Sequence, residues 1–184
     1  MTFNIIDKIL RRMRINQILD YIPKNSIVLD YGCGDGTLLK DLIKKNIIIY
    51  GIGLDKKAIP YTDDKYIICK HDTDDIDLES NSINCIISLA VLEHLDNPMH
   101  VLKELHRILK YNGKIIITTP SPYSKPILEL LAFFRIINKD EIDDHKQYFS
   151  KMDLKNIFEQ ANFYKIEKIQ SFQFGLNNLL VAEK

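Results

Sequence analysis

An α/β fold, with a largely parallel sheet covered by helices on both faces, is what this sequence predicts from three observations. Five apolar, strand-like runs alternate with helix-like segments between residues 26 and 119. The first run ends in Asp30 and is followed by Gly32, Gly34 and Gly36, spaced two apart, before a helical stretch. After residue 150 the rhythm changes to one helix and two strands joined through Gly175. Parallel neighbours need crossover connections, which the intervening helices supply, whereas two strands joined by a short turn pair antiparallel.

The elements follow in order. Residues 4 to 21 have amphipathic spacing and stop before Pro23, which argues for a helix. A strand near 26 to 31, a helix near 35 to 45, a strand near 47 to 53 and a short helix after Asp55 come next. Residues 66 to 70 and 83 to 89 are further strands rich in Ile. Residues 97 to 110 have helical spacing with Asp96 or Asn97 as cap and Pro98 in the first turn, both favoured there. Asn112-Gly113 is expected to end that helix before a strand at Lys114 to Thr119. Helix 151 to 161 and strands 164 to 172 and 176 to 183 complete the chain.

The chain has 184 residues, 46% hydrophobic and 27% charged, which suits one domain with a substantial core. Residues 1–24 form its N-terminal helix, and 120–150, the one long interruption of the rhythm, reads as a lid or acceptor-binding segment. Twenty-five Lys plus Arg balance twenty-five Asp plus Glu, so no global field draws in nucleic acid or acidic membrane, which leaves only a local patch to do so; nucleic acid is not an expected partner. No stretch is apolar for the ~20 residues a bilayer span needs, and no signal peptide stands at the N-terminus; the cytosol is the expected compartment. Cys33, Cys69 and Cys85 lack paired spacing, so neither a disulfide framework nor a metal site is expected.

The segment Ile27-Val-Leu-Asp-Tyr-Gly-Cys-Gly-Asp-Gly36 reads as a strand entering a helix beneath a ligand. Its glycines leave no side chain between backbone and ligand, and the helix start directs unpaired amides at it. A dinucleotide fingerprint needs glycine at position 37, where Thr37 stands. Asp30 would also repel a pyrophosphate and suits a cationic amine better. This argues against an NAD-dependent oxidoreductase. Here the chain resembles the class I S-adenosylmethionine-dependent methyltransferases, whose first motif is an acid followed by alternating glycines. The resemblance spans roughly residues 25 to 184. It implies a Rossmann-like seven-stranded mixed sheet, order 3-2-1-4-5-7-6 with strand 7 antiparallel, and S-adenosyl-L-methionine as cofactor. Asp30 would then approach the methionine amino group, with Gly32, Cys33 and Gly34 packed under the cofactor.

Three more segments fall at strand ends, where open sheets of this kind bind ligands. Asp55 ends the second strand, where a carboxylate either accepts from both ribose hydroxyls or caps a helix before Lys56. Asp72 follows the third strand; by the resemblance it meets the adenine amino group while the Thr73 amide meets the ring, and Asp74 and Asp75 compete for the role. After the fourth strand, Ser88-Leu-Ala-Val-Leu-Glu-His-Leu95 resembles the Leu-Glu-His-Leu segment of small-molecule methyltransferases related to those of ubiquinone biosynthesis. That likeness places Ser88 and Leu89 beside the methionine part and turns His94 toward the reaction space.

Histidine is the residue type suited to proton transfer at neutral pH, so His94 is a candidate to take a proton from an acceptor hydroxyl, or else to fix the loop through a backbone carbonyl. His145, in Asp144-His-Lys-Gln-Tyr-Phe-Ser150, is the second candidate base, with a loop-fixing role as its alternative. The apolar run Ile127 to Phe134 either packs on the core or lies on an apolar acceptor. Arg11, Arg12 and Arg14 read as a solvated helix face or as a clamp for an anionic acceptor group. The expected activity is methyl transfer to an oxygen, less readily a nitrogen, of a small-molecule acceptor such as a sugar, quinone precursor, lipid or amino-acid derivative. The rival is a non-catalytic subunit of the same fold that binds cofactor or a protein partner.

Overall fold

A computed structural model describes residues 5–127 and 146–184. Helix α1 (Ile5–Ile18) runs through a 3-10 turn (Leu19–Tyr21) into strand β1 (Ile27–Tyr31). Helix α2 (Thr37–Lys44), strand β2 (Tyr50–Asp55), the two-residue strand β3 (Tyr61–Thr62), β4 (Tyr66–Lys70) and β5 (Ile83–Leu89) follow. A 3-10 turn (Leu92–His94), helix α3 (Pro98–Ile108) and strand β6 (Leu109–Pro120) come next. Beyond the segment outside the described residues lie helix α4 (Lys151–Gln160), β7 (Lys165–Phe172) and β8 (Asn177–Glu183).

The sheet order is β3-β4-β2-β1-β5-β6-β8-β7. Pairs β1·β2, β1·β5, β2·β4 and β5·β6 are parallel, while β8 is antiparallel to both β6 and β7. With β3 set aside, this is the expected order, closed by the antiparallel hairpin. The eighth strand is a correction to the seven expected. It pairs antiparallel with the edge of β4, where a short helix was expected after Asp55. Pro60 explains this, because it biases Ile59 to extended backbone and breaks a helix there.

Two other boundaries shift. Strand β2 begins at Tyr50 rather than 47, because Ile47 still donates to Leu42 O at the end of α2 and Asn46 is left-handed. Helix α3 ends at Ile108, since Leu109 already pairs with Ile83. Asn112-Gly113 therefore sits within β6, and a Cβ on Gly113 would meet Lys110 O at 2.7 Å.

The period-2 pattern of the strands sends alternate residues to two cores. Val28, Cys85, Ile87, Ile116, Leu179 and Val181 face α1 and α2, which answer with Ile18, Leu38, Leu39 and Leu42. Leu29, Ile86, Ile115, Ile117 and Leu180 face α3 and α4, which supply Val101, Leu102, Leu105, Leu154 and Phe158. Burying side chains of this size stabilises by about 1.5–3 kcal/mol each, so both faces of the sheet are fixed by packing. Asn97 Oδ1 accepts from His100 N at 3.2 Å to start α3, and Ser150 and Asp153 form a reciprocal capping box on α4. The parallel strands thus all end at one edge, and the connections there carry the motifs singled out above. No helix of the described residues is long and apolar enough to cross a membrane.

Candidate active site at the carboxyl ends of the parallel strands

The glycine turn is locked onto the neighbouring strand. Gly32 N and Cys33 N both donate to Leu54 O, at 2.7 and 3.2 Å, and Gly36 N donates to Cys33 O at 3.0 Å. All three glycines are left-handed, with φ of 83°, 57° and 70°. A Cβ on Gly32 would lie 2.1 Å from Val91 Cγ2, so the turn after β1 is in contact with the loop after β5. The two most specific sequence segments therefore meet. A Cβ on Gly34 would have nothing within 4 Å among the described residues, which leaves room for a ligand on that side of the turn.

Asp30 lies at the end of β1, paired in register with Gly53, and is 3% exposed. Burial, with Asp55 and Asp35 nearby, pushes its carboxyl up to about 7, while the Arg11 guanidinium works the other way. Asp35 is held low: burial would raise it, but hydrogen bonds from Thr37 N at 3.1 Å, Thr37 Oγ1 at 2.7 Å and Arg11 at 3.3 Å outweigh it. Asp55 Oδ2 accepts from Gly34 N at 3.0 Å and Oδ1 from Lys57 N at 2.7 Å. Lys56 and Lys57 form a turn rather than a helix, so Asp55 fastens the glycine turn instead of capping. Three carboxylates around one glycine turn make a pocket suited to a cationic ligand.

The pKa of Asp30 has a measurable consequence. Its folded value lies above its ordinary value of 3.8, so the folded chain holds a proton that the unfolded chain releases. Its contribution is fully present below pH ~4 and is lost as pH rises toward ~7. Asp30→Asn is expected to remove that loss, leaving the ligand-free variant more stable than the parent at pH 8 by on the order of 2–4 kcal/mol. Parallel denaturation slopes for the two proteins between pH 4 and 7 would contradict this origin of the shift.

Cys33 is 4% exposed, and its Sγ lies 2.8 Å from where a Cβ on Gly53 would stand. Its side chain packs on β2, and burial pushes the thiol up to about 12, which is the opposite of nucleophile activation. His71 N donates to Asp55 O at 3.0 Å, so the loop after β4 starts beside the same site. Asp72 and Thr73 are exposed on it, and Thr73 Oγ1 donates to Asp75 O. Asp75 is paired with His100 of α3, whereas Asp72 is exposed and Asp74 half-buried in the same loop.

Ser88 is buried and Leu89 half-buried at the end of β5. Beyond them Ala90 is left-handed, with φ 58° and its N–H on Thr118 O, a strained turn of the kind found at functional sites. His94 is half-buried in the following 3-10 turn. Glu93 is fully buried, and its Oε2 accepts from Thr119 Oγ1 at 3.1 Å while Oε1 has no hydrogen-bond partner among the described residues. Burial raises its pKa, opposed by His94, Arg14 and the Thr119 hydroxyl. His145 lies outside the described residues, as does most of the run from 127 to 134. Lys146, the next residue after His145, donates its N–H to Glu93 O at 2.9 Å.

Sequence reasoning missed the role of α1. Arg12 is exposed, but Arg11 reaches Asp35 and Arg14 faces Glu93 electrostatically, so the helix spans the glycine turn and the Glu93 loop. The triple arginine spacing carried the signal, which a solvated-face reading hid. Thr119 and Val91 were also missed, since neither type announces a site without its neighbours. Among the described residues no group of three or more His, Cys, Asp or Glu is placed to hold a metal ion.

A family model described as a methyltransferase domain matches residues 6–168. The chain is 25% identical over 103 residues to the ubiquinone biosynthesis O-methyltransferase of Coxiella burnetii, covering 52% of this chain and 44% of that protein. It is 31% identical over 134 residues to an uncharacterized protein of Methanocaldococcus jannaschii, covering 69% of this chain and 58% of that one. It thus spans about half the length of the curated relatives it matches. A SAM dependent methyltransferase from Archaeoglobus fulgidus superposes with a TM-score of 0.71 at 21% identity, covering 95% of this chain and 93% of that chain. A chain from the complex between the Haloferax volcanii Trm112 methyltransferase activator and a methyltransferase gives 0.72 at 18% identity, covering 92% and 87%.

Proposed function

This chain belongs to the methyltransferase domain family, and from that premise we propose that it takes S-adenosylmethionine as its cofactor and moves a methyl group to an oxygen of a small-molecule acceptor. The observation that carries the reading is Asp30, a buried acid beneath a glycine turn with two further carboxylates beside it. Such a site lowers its own free energy by taking up a cation, and the cofactor carries both an ammonium and a sulfonium.

Asp30 is assigned to the amino group and Asp55 to the ribose hydroxyls. Asp72 and the Thr73 amide are assigned to the adenine, and Ser88 and Leu89 to the methionine border. Gly32, Cys33 and Gly34 form the floor, Cys33 through its backbone. The bound cofactor supplies an activated methyl group on a positively charged sulfur. The chain's task is to hold the acceptor oxygen in line and to exclude water, and positioning of this kind is worth up to ~7–11 kcal/mol. A hydroxyl acceptor must also lose its proton. His94, or His145 in the 120–150 acceptor segment, takes it. The O-methyltransferase of Coxiella burnetii supports oxygen as the atom methylated.

Two measurements test these roles. If the ammonium settles on Asp30, its carboxyl loses its proton on binding, so calorimetry near pH 7 in buffers of differing ionisation enthalpy should show proton release that Asp30→Asn abolishes. For the base, His94→Ala or His145→Ala should lower turnover by about 10²–10⁴-fold and remove a limb of the pH profile. Near-normal turnover with unchanged pH dependence in both variants would refute the assignment.

A further inference from the structure

Three segments meet at the mouth of the site: α1 around residues 9–14, the chain after β6 at 121–127, and the β7–β8 turn at 173–176. Gln173 Nε2 donates to Leu10 O at 2.8 Å, and Ser121 Oγ donates to Gly175 O at 2.6 Å. Ser121 N also donates to Leu176 O at 2.9 Å. These bonds hold a strained turn, since Gln173 and Phe174 are both left-handed without being glycine, with φ of 51° and 59°. Gln173 is buried, yet Phe174 stands 99% exposed. Strain held by hydrogen bonds on two sides, with an aromatic ring displayed at its tip, marks a contact surface.

The display is not confined to one ring. Tyr123 is 82% exposed, Ile9 53%, Ile127 42% and Met13 38%, and Ile9 and Met13 lie one turn apart on the same helix face. The three segments hold Arg11, Arg12, Arg14 and Lys125 and no carboxylate. In a chain of zero net charge this concentrates positive charge around an apolar patch; Arg11 is paired with Asp35, Arg14 faces Glu93 and Lys125 lies over the Tyr148 ring. Apolar tips set among cations match a bilayer surface bearing anionic headgroups, where rings sit at the interface and guanidinium and ammonium groups meet phosphate.

We propose that this mouth docks on an anionic lipid bilayer, with Phe174 and Tyr123 entering the interface and Arg12 and Lys125 at the headgroups. Docking stands apart from the methyl-transfer reading; the corollary that the acceptor arrives from the bilayer rests on it. The chain has no tryptophan, so Phe174→Trp installs a single emission reporter at the tip. With vesicles of phosphatidylcholine containing phosphatidylglycerol, its emission should move to shorter wavelength and the protein should sediment with the vesicles. Pure phosphatidylcholine should have little effect, and high salt should reverse the binding.

In the otherwise native chain, Phe174→Ser should weaken partitioning about tenfold, and Arg12→Gln about fivefold on the anionic vesicles. Both variants should keep the parent's thermal midpoint and its affinity for S-adenosylhomocysteine. Emission unchanged by either vesicle, or binding indifferent to Phe174→Ser, would overturn the proposal. So would an emission shift that grows with protein concentration without vesicles, which would make a second copy the occupant. Vesicle docking without S-adenosylhomocysteine binding would instead count against the methyl-transfer reading alone.

Discussion

Replacing Gly32 by alanine is expected to abolish measurable binding of S-adenosylhomocysteine and to lower stability by about 1–3 kcal/mol. Two effects combine. The left-handed backbone at φ 83° disfavours any side chain, and the new Cβ would stand 2.1 Å from Val91 Cγ2. Val91 cannot retreat freely, because the loop that carries it is anchored by Ala90 N on Thr118 O and by the buried Glu93. The strain must therefore move either the glycine turn or the loop after β5, the two segments proposed to border the cofactor. Gly34→Ala is the control. It has φ 57° and nothing within 4 Å among the described residues, so it should lose only the backbone part, about 1–2 kcal/mol, together with whatever affinity the open side contributes. Denaturant unfolding and calorimetry on the two variants separate the terms, and parent-like binding by Gly32→Ala would refute the contact argument.

Asp55→Ala should weaken cofactor binding by on the order of a hundredfold or more. Under the proposed assignment the variant lacks two charge-assisted hydrogen bonds to the ribose, each worth about 1.5–3 kcal/mol. It would also release Gly34 N and Lys57 N, which the carboxylate now holds. Methylthioadenosine, which keeps the nucleoside and lacks the amino acid, localises the effect. Asp55→Ala should weaken its binding as much as that of S-adenosylhomocysteine, whereas Asp30→Asn should weaken only the latter. Equal effects of the two variants on methylthioadenosine would mean that the roles of the two acids are misassigned.

Much of the fold was legible because its signals are local. The alternation of apolar runs with amphipathic helices, and the change of rhythm after residue 150, indicated a parallel sheet closed by a hairpin, while the strand order came from the resemblance to the class I methyltransferases. What was not legible depended on neighbours in space. Strand β3 exists because Pro60 blocks a helix and the β4 edge is free to pair. The early end of α3 follows from the pairing of Leu109 with Ile83. In the site, Asp30 and the glycines stood out by spacing alone, but the contact between Gly32 and Val91 joins residues far apart in the chain. The same holds for Arg11 on Asp35, for Thr119 on Glu93 and for the strained turn that presents Phe174, whose three anchors come from distant elements.

The account stands or falls on whether the pocket beneath Gly32 and Gly34 takes a methionine nucleoside. Titration calorimetry of the whole chain with S-adenosylhomocysteine, and in parallel with NAD, tests this most directly. Saturable one-to-one binding of S-adenosylhomocysteine, lost in Gly32→Ala and accompanied by proton release near pH 7, is the predicted result. Saturable binding of NAD with none of S-adenosylhomocysteine would contradict it.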